Sequence, residues 1–375
     1  MSLGNGERPR VLHVGKFYPP HKGGMETHLR DLCERLGARY ETRVLVANAD
    51  RRAAEETIGG VRVTRMATPF SLGAAPVCPG LSRRIRDSGA QVVHLHFPHP
   101  TAVLAYLRSG HRGPLVVTYH SDVVRQKLLG RAFLPILHRF LARASAVIAT
   151  SPDYVASSPV LARHRERCRV IPLGVETARF GRVGDDEVRG VRERFGERLI
   201  LGVGRLIYYK GFAHLVRAMR EVDARLLLVG EGPLREGLER EARDCGVAGR
   251  VHFLGEVADA APYFRAADVF ALPSVARSEA FGIVQLEAMA CGVPVVNTRL
   301  DSGVPFVSPD GVTGLTVPPA DPAALASALN RLLADAPLRA RLGDAGRLRV
   351  RRLFTADVMA EQTMQLYKEV LADSQ

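Results

Sequence analysis

The 375-residue sequence predicts an α/β protein of two domains, each built on a mostly parallel sheet. Three observations predict it. Short buried apolar runs suited to strands alternate with helical patterns, the order that packs helices on both faces of a parallel sheet. The chain is long enough for two full cores. Charge also changes near its middle: residues 1–178 hold 26 Lys or Arg against 13 Asp or Glu, and residues 179–375 hold 26 against 26. The domains expected are 1–178 and 179–354, with 355–375 as a closing helical segment.

In the first half strands are expected at Val11–Val14, Thr42–Ala47, Val61–Met66, Val92–Leu95, Leu115–Thr118 and Ala146–Ala149. A helix with the stripe His28, Leu29, Leu32 and Leu36 begins near Met25. Gly23 and Gly24, between the first strand and this helix, can bring backbone N–H groups up to a phosphate or hydroxyl, although a plain turn is the commoner use of such a pair.

Ligands of open α/β sheets bind at the carboxyl ends of strands, and two histidine groups fall there. His94, His96 and His99 lie in VVHLHFPHP; H-x-H can begin a metal site, but no acidic cluster accompanies it, so packing is the expected role and no metal is expected. His120, in TYHSD, ends another strand, with Asp122 nearby to orient it or an acceptor hydroxyl. From Val123 to Ala144 a basic, apolar-rich segment carries Arg125, Lys127, Arg131, Arg139 and Arg143, and Pro135 predicts its division into two helices. Its basic face suits anionic lipid and equally suits an ordinary surface helix with solvated arginines.

The second half predicts strands at Leu199–Val203, Leu226–Val229, Val251–Leu254, Val269–Leu272 and Val295–Asn297, and helices at Phe212–Val222, Pro322–Leu333, Pro337–Phe354 and Val358–Leu371. Arg205 and Lys210 stand in the loop after the first of these strands, where two cations can neutralise a diphosphate. Neither Gly202-Val203-Gly204 nor Gly230-Glu231-Gly232 has the third glycine of a dinucleotide fingerprint, which argues against NAD. The stretch Ser278–Asn297, SEAFGIVQLEAMACGVPVVN, is the centre of the pattern. Ile283, Leu286 and Ala290 form a helical stripe, and Glu287 on that stripe is an inward carboxylate that needs a partner. Ahead of it, Glu279 to Gly282 make a turn whose amides offer an anion site. Two glutamates flanking such amides suit a nucleotide-sugar diphosphate: amides for the phosphates, carboxylates for the hydroxyls.

The E-x7-E spacing of Glu279 and Glu287 within EAFGIVQLEAMACGVPVV resembles the signature of the large family of retaining GT-B glycosyltransferases, family 4 type, and the resemblance runs from about Arg10 to Phe354. It implies two Rossmann-like domains facing each other across a cleft. The first would bind the acceptor and the second the nucleotide sugar, with the last helix crossing back to the first domain and PLGVETARF (Pro172–Phe180) as the linker. The resemblance implies that Gly23 and Gly24 lie between donor diphosphate and acceptor. It makes His120 a contact near the sugar C6 hydroxyl and Arg205 with Lys210 a G-R-x4-K phosphate clamp. Glu279, Phe281, Gly282, Ile283 and Glu287 would bind the donor, and Phe253-Leu254-Gly255-Glu256 would hold the base through its main chain at Leu254.

The activity implied is retaining, metal-independent transfer of a hexosyl group of mannose or N-acetylglucosamine type from a nucleotide-diphosphate sugar to a lipid-linked or oligosaccharide hydroxyl. The closest look is to bacterial mannosyl- and rhamnosyltransferases of surface polysaccharide or glycolipid synthesis. Alternatives are a sugar-nucleotide 2-epimerase of the same architecture, a transferase with a soluble acceptor, and a non-enzymatic binder on a decayed scaffold. The intact set of Arg205, Lys210, Glu279 and Glu287 speaks against decay. No D-x-D triplet occurs, so no cofactor beyond the donor is expected. Without helix-turn-helix, zinc-finger or aromatic RNA-binding patterns, no nucleic-acid partner is expected; the basic first half leaves an anionic membrane surface open. Five scattered cysteines, no apolar run of membrane-span length and no visible signal peptide point to a cytoplasmic protein, with the inner face of the plasma membrane as its peripheral site.

Overall fold

The computed structural model describes residues 8–374 apart from 22, 49, 74 and 123–126, and the side chains of 127–131 are also outside the description. The chain divides into two compact units, Met1–Leu173 with Ala356–Gln375, and Gly174–Thr355. The division falls after Leu173 rather than residue 178 because the intervening segment is tied to the second unit. Val175 N–H donates to the Phe354 carbonyl at 2.9 Å, and Phe180 packs edge-on against Phe264.

The first unit contains β1 (Arg10–Val14), β2 (Glu41–Ala47), β3 (Ala54–Ile58), β4 (Val61–Met66), a hairpin of β5 (Phe70–Leu72) and β6 (Ala75–Val77), β7 (Val92–Phe97), β8 (Leu115–Tyr119), β9 (Ala146–Ala149) and β10 (Cys168–Val170). Its main sheet runs β10-β9-β8-β7-β1-β2-β4-β3. All of its pairings are parallel except β3 on β4. Every strand expected in this half is present. The unforeseen β3, AEETI, is a solvated edge whose glutamates discourage further pairing, and Glu56 forms an ion pair with Arg65.

Successive side chains of a strand alternate faces, so Val11 shares a face with His13, Val92 with His94 and His96, and Val116 with Thr118 and His120. At the start of the strands this face is apolar: Val11, Val92, Val116 and Ala146 pack on Leu32 and Leu36 of the helix Gly24–Leu36 and on Met359, Ala360 and Tyr367 of the helix Ala356–Ala372. Toward the strand ends it becomes a row of histidines. The segment expected to split at Pro135 is one helix, Lys127–Ala142. Proline removes one hydrogen bond, but Leu137, Phe140 and Leu141, all after it, are buried and anchor the helix on its C-terminal side. The side chains of Arg125, Lys127 and Arg131 lie outside the described residues.

The second unit has a six-stranded parallel sheet built from β11 (Leu199–Val203), β12 (Arg225–Val229), β13 (Val251–Gly255), β14 (Val269–Leu272), β15 (Val295–Thr298) and β16 (Gly314–Val317), in the order β13-β12-β11-β14-β15-β16. Leu215, Val216, Leu226, Leu228, Leu325 and Leu329 are among its buried core. Where β12 meets β13, Leu228 pairs with Phe253 and Val229 with Gly255, so Leu254 is bulged out of register. Among the described residues no helix is long and apolar enough to cross a membrane.

Leu36 is fully buried between the first sheet and the last helix. Leu36→Ala is expected to destabilise the first unit by about 2–5 kcal/mol, read as a lower urea midpoint at unchanged slope.

Candidate functional site

The loop after β11 is built around a lysine. Gly204 has φ +150°, and a Cβ there would sit 3.1 Å from Lys210 Cε, so the glycine leaves room for the lysine stem. Lys210 ends a single turn of 3-10 helix, Tyr208–Lys210, and the chain leaves through Gly211 at φ +68°, where any side chain would strike the Pro273 carbonyl. Its ammonium lies 2.6 Å from Glu279 Oε2, which also accepts from Ser274 Oγ at 2.9 Å. Lys210 is 8% and Glu279 7% exposed.

Burial alone pushes the Lys210 ammonium toward losing its proton. Glu279 first, then Tyr209, outweigh it and hold the value above the usual lysine 10.5. Burial also pushes the Tyr209 phenol up and Glu279 pushes it further, while Lys210 and Arg205 pull it down, so that hydroxyl sits within reach of all three charges. Arg205 is exposed and, among the described residues, pairs with no carboxylate. One cation is therefore fixed and compensated, and its neighbour is available to an incoming anion.

Glu279 leads into the turn expected from sequence. Gly282 takes φ +73°, with Leu272 only 2.7 Å from where a Cβ would be. Among the described residues the amides of Phe281 and Gly282 take no backbone acceptor. The helix that follows is Val284–Ala290, which leaves Ile283 just outside it, and its buried face is Gln285, Leu286, Ala288 and Met289. Ile283 and Ala290 are only half-buried, which corrects the Ile283–Leu286–Ala290 stripe. The buried polar Gln285 displaced it because its amide is fully bonded: Nε2 donates to the Phe281 and Val304 carbonyls, and Oε1 accepts from Asn297. The Phe281 ring is core, edge-on to Phe354, so only its main chain can serve a ligand.

Glu287 is half-buried and finds its counter-charge in Arg179, which also stacks on Phe180. Sequence reasoning missed Arg179; it lies 108 positions away, and only its place in PLGVETARF marked it. The bulge at Leu254 was missed as well, because register is a property of two strands.

In the first unit Gly23 caps the helix Gly24–Leu36, and both glycines are exposed. Gly23 is extended, so no left-handed backbone explains it; a Cβ would press on the buried Glu26 carboxylate. His120, at the end of β8, is 7% exposed; its Nε2 meets His96 Nδ1 at 3.2 Å and its Nδ1 has no partner among the described residues. Asp122 does not orient it: Asp122 Oδ1 accepts from Tyr119 and Ser158, both at 2.8 Å, and anchors the loop to the unit. His94 and His96 are buried on β7, and His99 is buried against Thr101. Burial holds His94, His96 and His120 well below the usual imidazole value, with His13 at about 3 and His28 at about 4, so the row is neutral near pH 7.

The structure matches that of sucrose-phosphate synthase from Thermosynechococcus elongatus with a TM-score of 0.83 and 27% identity, over 98% of this chain and 100% of that one. Its class is thereby set: a glycosyltransferase of GT-B architecture, with two Rossmann-like units. A model described as Glycosyltransferase Family 4 matches residues 22–179, and one described as Glycosyl transferases group 1 matches residues 197–335. The D-rhamnosyltransferase WbpZ of Pseudomonas aeruginosa is 34% identical over 92% of each chain. The O-antigen chain mannosyltransferase C of Escherichia coli is 33% identical over 96% of this chain and 99% of its own. The chain belongs to this family of glycosyltransferases.

Because the folded-state value of Lys210 is raised, its stabilising contribution is complete below pH 10.5 and is lost as pH climbs through that raised value. Thermal unfolding between pH 9 and about 12 is expected to show this loss in the wild type and a flatter profile in the neutral double variant Lys210→Met/Glu279→Gln.

Proposed function

We propose that this glycosyltransferase moves a hexosyl group of mannose or N-acetylglucosamine type from a nucleotide-diphosphate sugar to a hydroxyl of a lipid-linked or oligosaccharide acceptor, with retention and without a metal at the pyrophosphate. The carrying observation is the buried Lys210–Glu279 pair beside the exposed Arg205. As the bond from sugar C1 to the phosphate oxygen breaks, negative charge grows on the leaving diphosphate. Lys210 and the amides of Phe281 and Gly282 are fixed donors that can receive it, with the exposed Arg205 guanidinium beside them, and preorganised donors need no reorganisation as that charge develops. The acceptor oxygen bonds to C1 on the face the leaving group departs from, and a phosphate oxygen takes the acceptor's proton.

Glu279 Oε2 already serves Lys210 and Ser274, which leaves Oε1 for a sugar hydroxyl. His120 offers Nδ1 in the same way, held by its bond to His96. Glu287, steadied by Arg179, is assigned to the ribose, and the bulge at Leu254 supplies main-chain groups to the base. Gly23 and Gly24 leave backbone accessible for donor diphosphate or acceptor. The sugar type follows the relatives named mannosyl- and rhamnosyltransferases. The basic first half, with Phe70 and Leu72 exposed on the β5–β6 hairpin, favours a lipid-linked acceptor at an anionic membrane surface, on the cytoplasmic side.

Arg205→Ala is expected to lower kcat/KM by about 10²–10³-fold while leaving the melting temperature near wild type. Thermal-shift screening against UDP-, GDP-, ADP- and dTDP-sugars selects the donor, and kinetics then follow with that donor and a lipid-linked acceptor. Wild-type turnover by Arg205→Ala, or formation of an epimer from donor alone, contradicts the proposal.

A further inference from the structure

Five histidines converge in the first unit from four elements: His13 on β1, His28 on the helix Gly24–Leu36, His94 and His96 on β7, and His120 at the end of β8. None is more than 7% exposed. Most of their nitrogens belong to one continuous chain of contacts. His94 bonds to Thr118 at 2.7 Å and to Tyr367 at 2.5 Å; Tyr367 meets His13 at 3.3 Å, His13 meets His96 at 3.2 Å, and His96 meets His120 at 3.2 Å.

His28 stands outside this chain. Both of its ring nitrogens are buried and bonded to nothing among the described residues. A buried polar group left so costs about 1–3 kcal/mol, and such orphans are few in folded proteins. Its ring centre is 5.0 Å from that of His120 and 5.5 Å from that of His96, and one ligand nitrogen from each of the three falls within 4.8 Å of the others.

The geometry points to a three-histidine site for a borderline divalent cation, with Zn2+ as the type, held by His28, His96 and His120. Imidazole is a preferred donor for such ions, and three of them leave a fourth position open. Two nitrogens on one tetrahedral zinc lie about 3.4 Å apart; His96 Nδ1 and His120 Nε2 are 3.2 Å apart. His28 supplies the third nitrogen, which gives its orphaned ring a partner.

The surrounding bonds fit that role. With Nδ1 on the cation, His96 donates from Nε2 to His13, His13 donates to Tyr367, Tyr367 to His94, and His94 to Thr118, one proton per contact and no clash of donors. Outer partners of this kind fix the tautomer and orientation of a metal-binding histidine. No carboxylate belongs to the ligand set, so the fourth position favours hydroxide or an anionic oxygen. This assignment is separate from Arg205 and Lys210, which belong to the second unit; the bound cation takes over from the His96–His120 bond in holding His120 and leaves Nδ1 of that ring for the sugar hydroxyl.

The test uses untagged full-length protein stripped with a chelator and titrated with Co2+, then with Zn2+ in competition. One equivalent of Co2+ should bind with the visible absorption of a tetrahedral nitrogen site, be displaced by Zn2+, and raise the melting temperature by several degrees at saturation. His28→Leu removes a ring that bonds to nothing, so the metal-free variant should melt at or above the wild-type temperature while its Co2+ affinity falls by more than ~100-fold, beyond the loss of an outer partner. His138→Ala, which breaks the His138–His164 contact elsewhere in the unit, should change neither. The inference is overturned if the wild type binds no stoichiometric Co2+, if His28→Leu retains the affinity and band, or if His138→Ala abolishes them.

Discussion

The second unit depends on one buried ion pair. Lys210 and Glu279 come from loops after different strands, and each is nearly sealed from water, so neither is stable there alone. Their contact joins the end of β11 to the turn that begins at Glu279, and Ser274 extends it toward β14. Around the pair, Gly204 leaves room for the Lys210 stem, Gly211 for the Pro273 carbonyl and Gly282 for Leu272, so a side chain at any of the three would collide. The catalytic reading follows from the same constraint: a charge already compensated and immobile stands beside an exposed guanidinium at the strand ends.

The first unit is organised by a gradient along one sheet face, from valines packed on helices to histidines bonded to each other. Tyr367, on the last helix, reaches back to His13 and His94 in the first and seventh strands. That helix thus closes the apolar part of the face and orders the polar part at once. All five imidazoles stay neutral because burial disfavours their charged form, which lets them pack as a core while His13, His94, His96 and His120 still exchange hydrogen bonds.

Much of this was legible in the chain. The interior strands are continuous apolar runs, the form that a sheet buried on both faces requires, so VLHV, LILGV and VFAL announced themselves. Glu279 and Glu287 were legible through their spacing, and Arg205 with Lys210 through their place after a strand. What stayed hidden depends on distant partners. Arg179 meets Glu287 only after folding, the Leu254 bulge exists only against β12, and Gln285 passes for a surface residue until Asn297 and Val304 surround it. Pro135 misled because a local rule was applied where tertiary packing wins. β3 was invisible because an edge strand carries little burial to leave a pattern.

The most direct measurement is a crystal structure with a bound nucleoside diphosphate. The account predicts diphosphate oxygens about 3 Å from Lys210 Nζ and the Arg205 guanidinium, with the turn after Glu279 donating amides. The second unit also has a 340 Å³ cavity lined by Arg265, Arg347 and Arg351. Diphosphate bound there, with Arg205 and Lys210 untouched, would contradict the account.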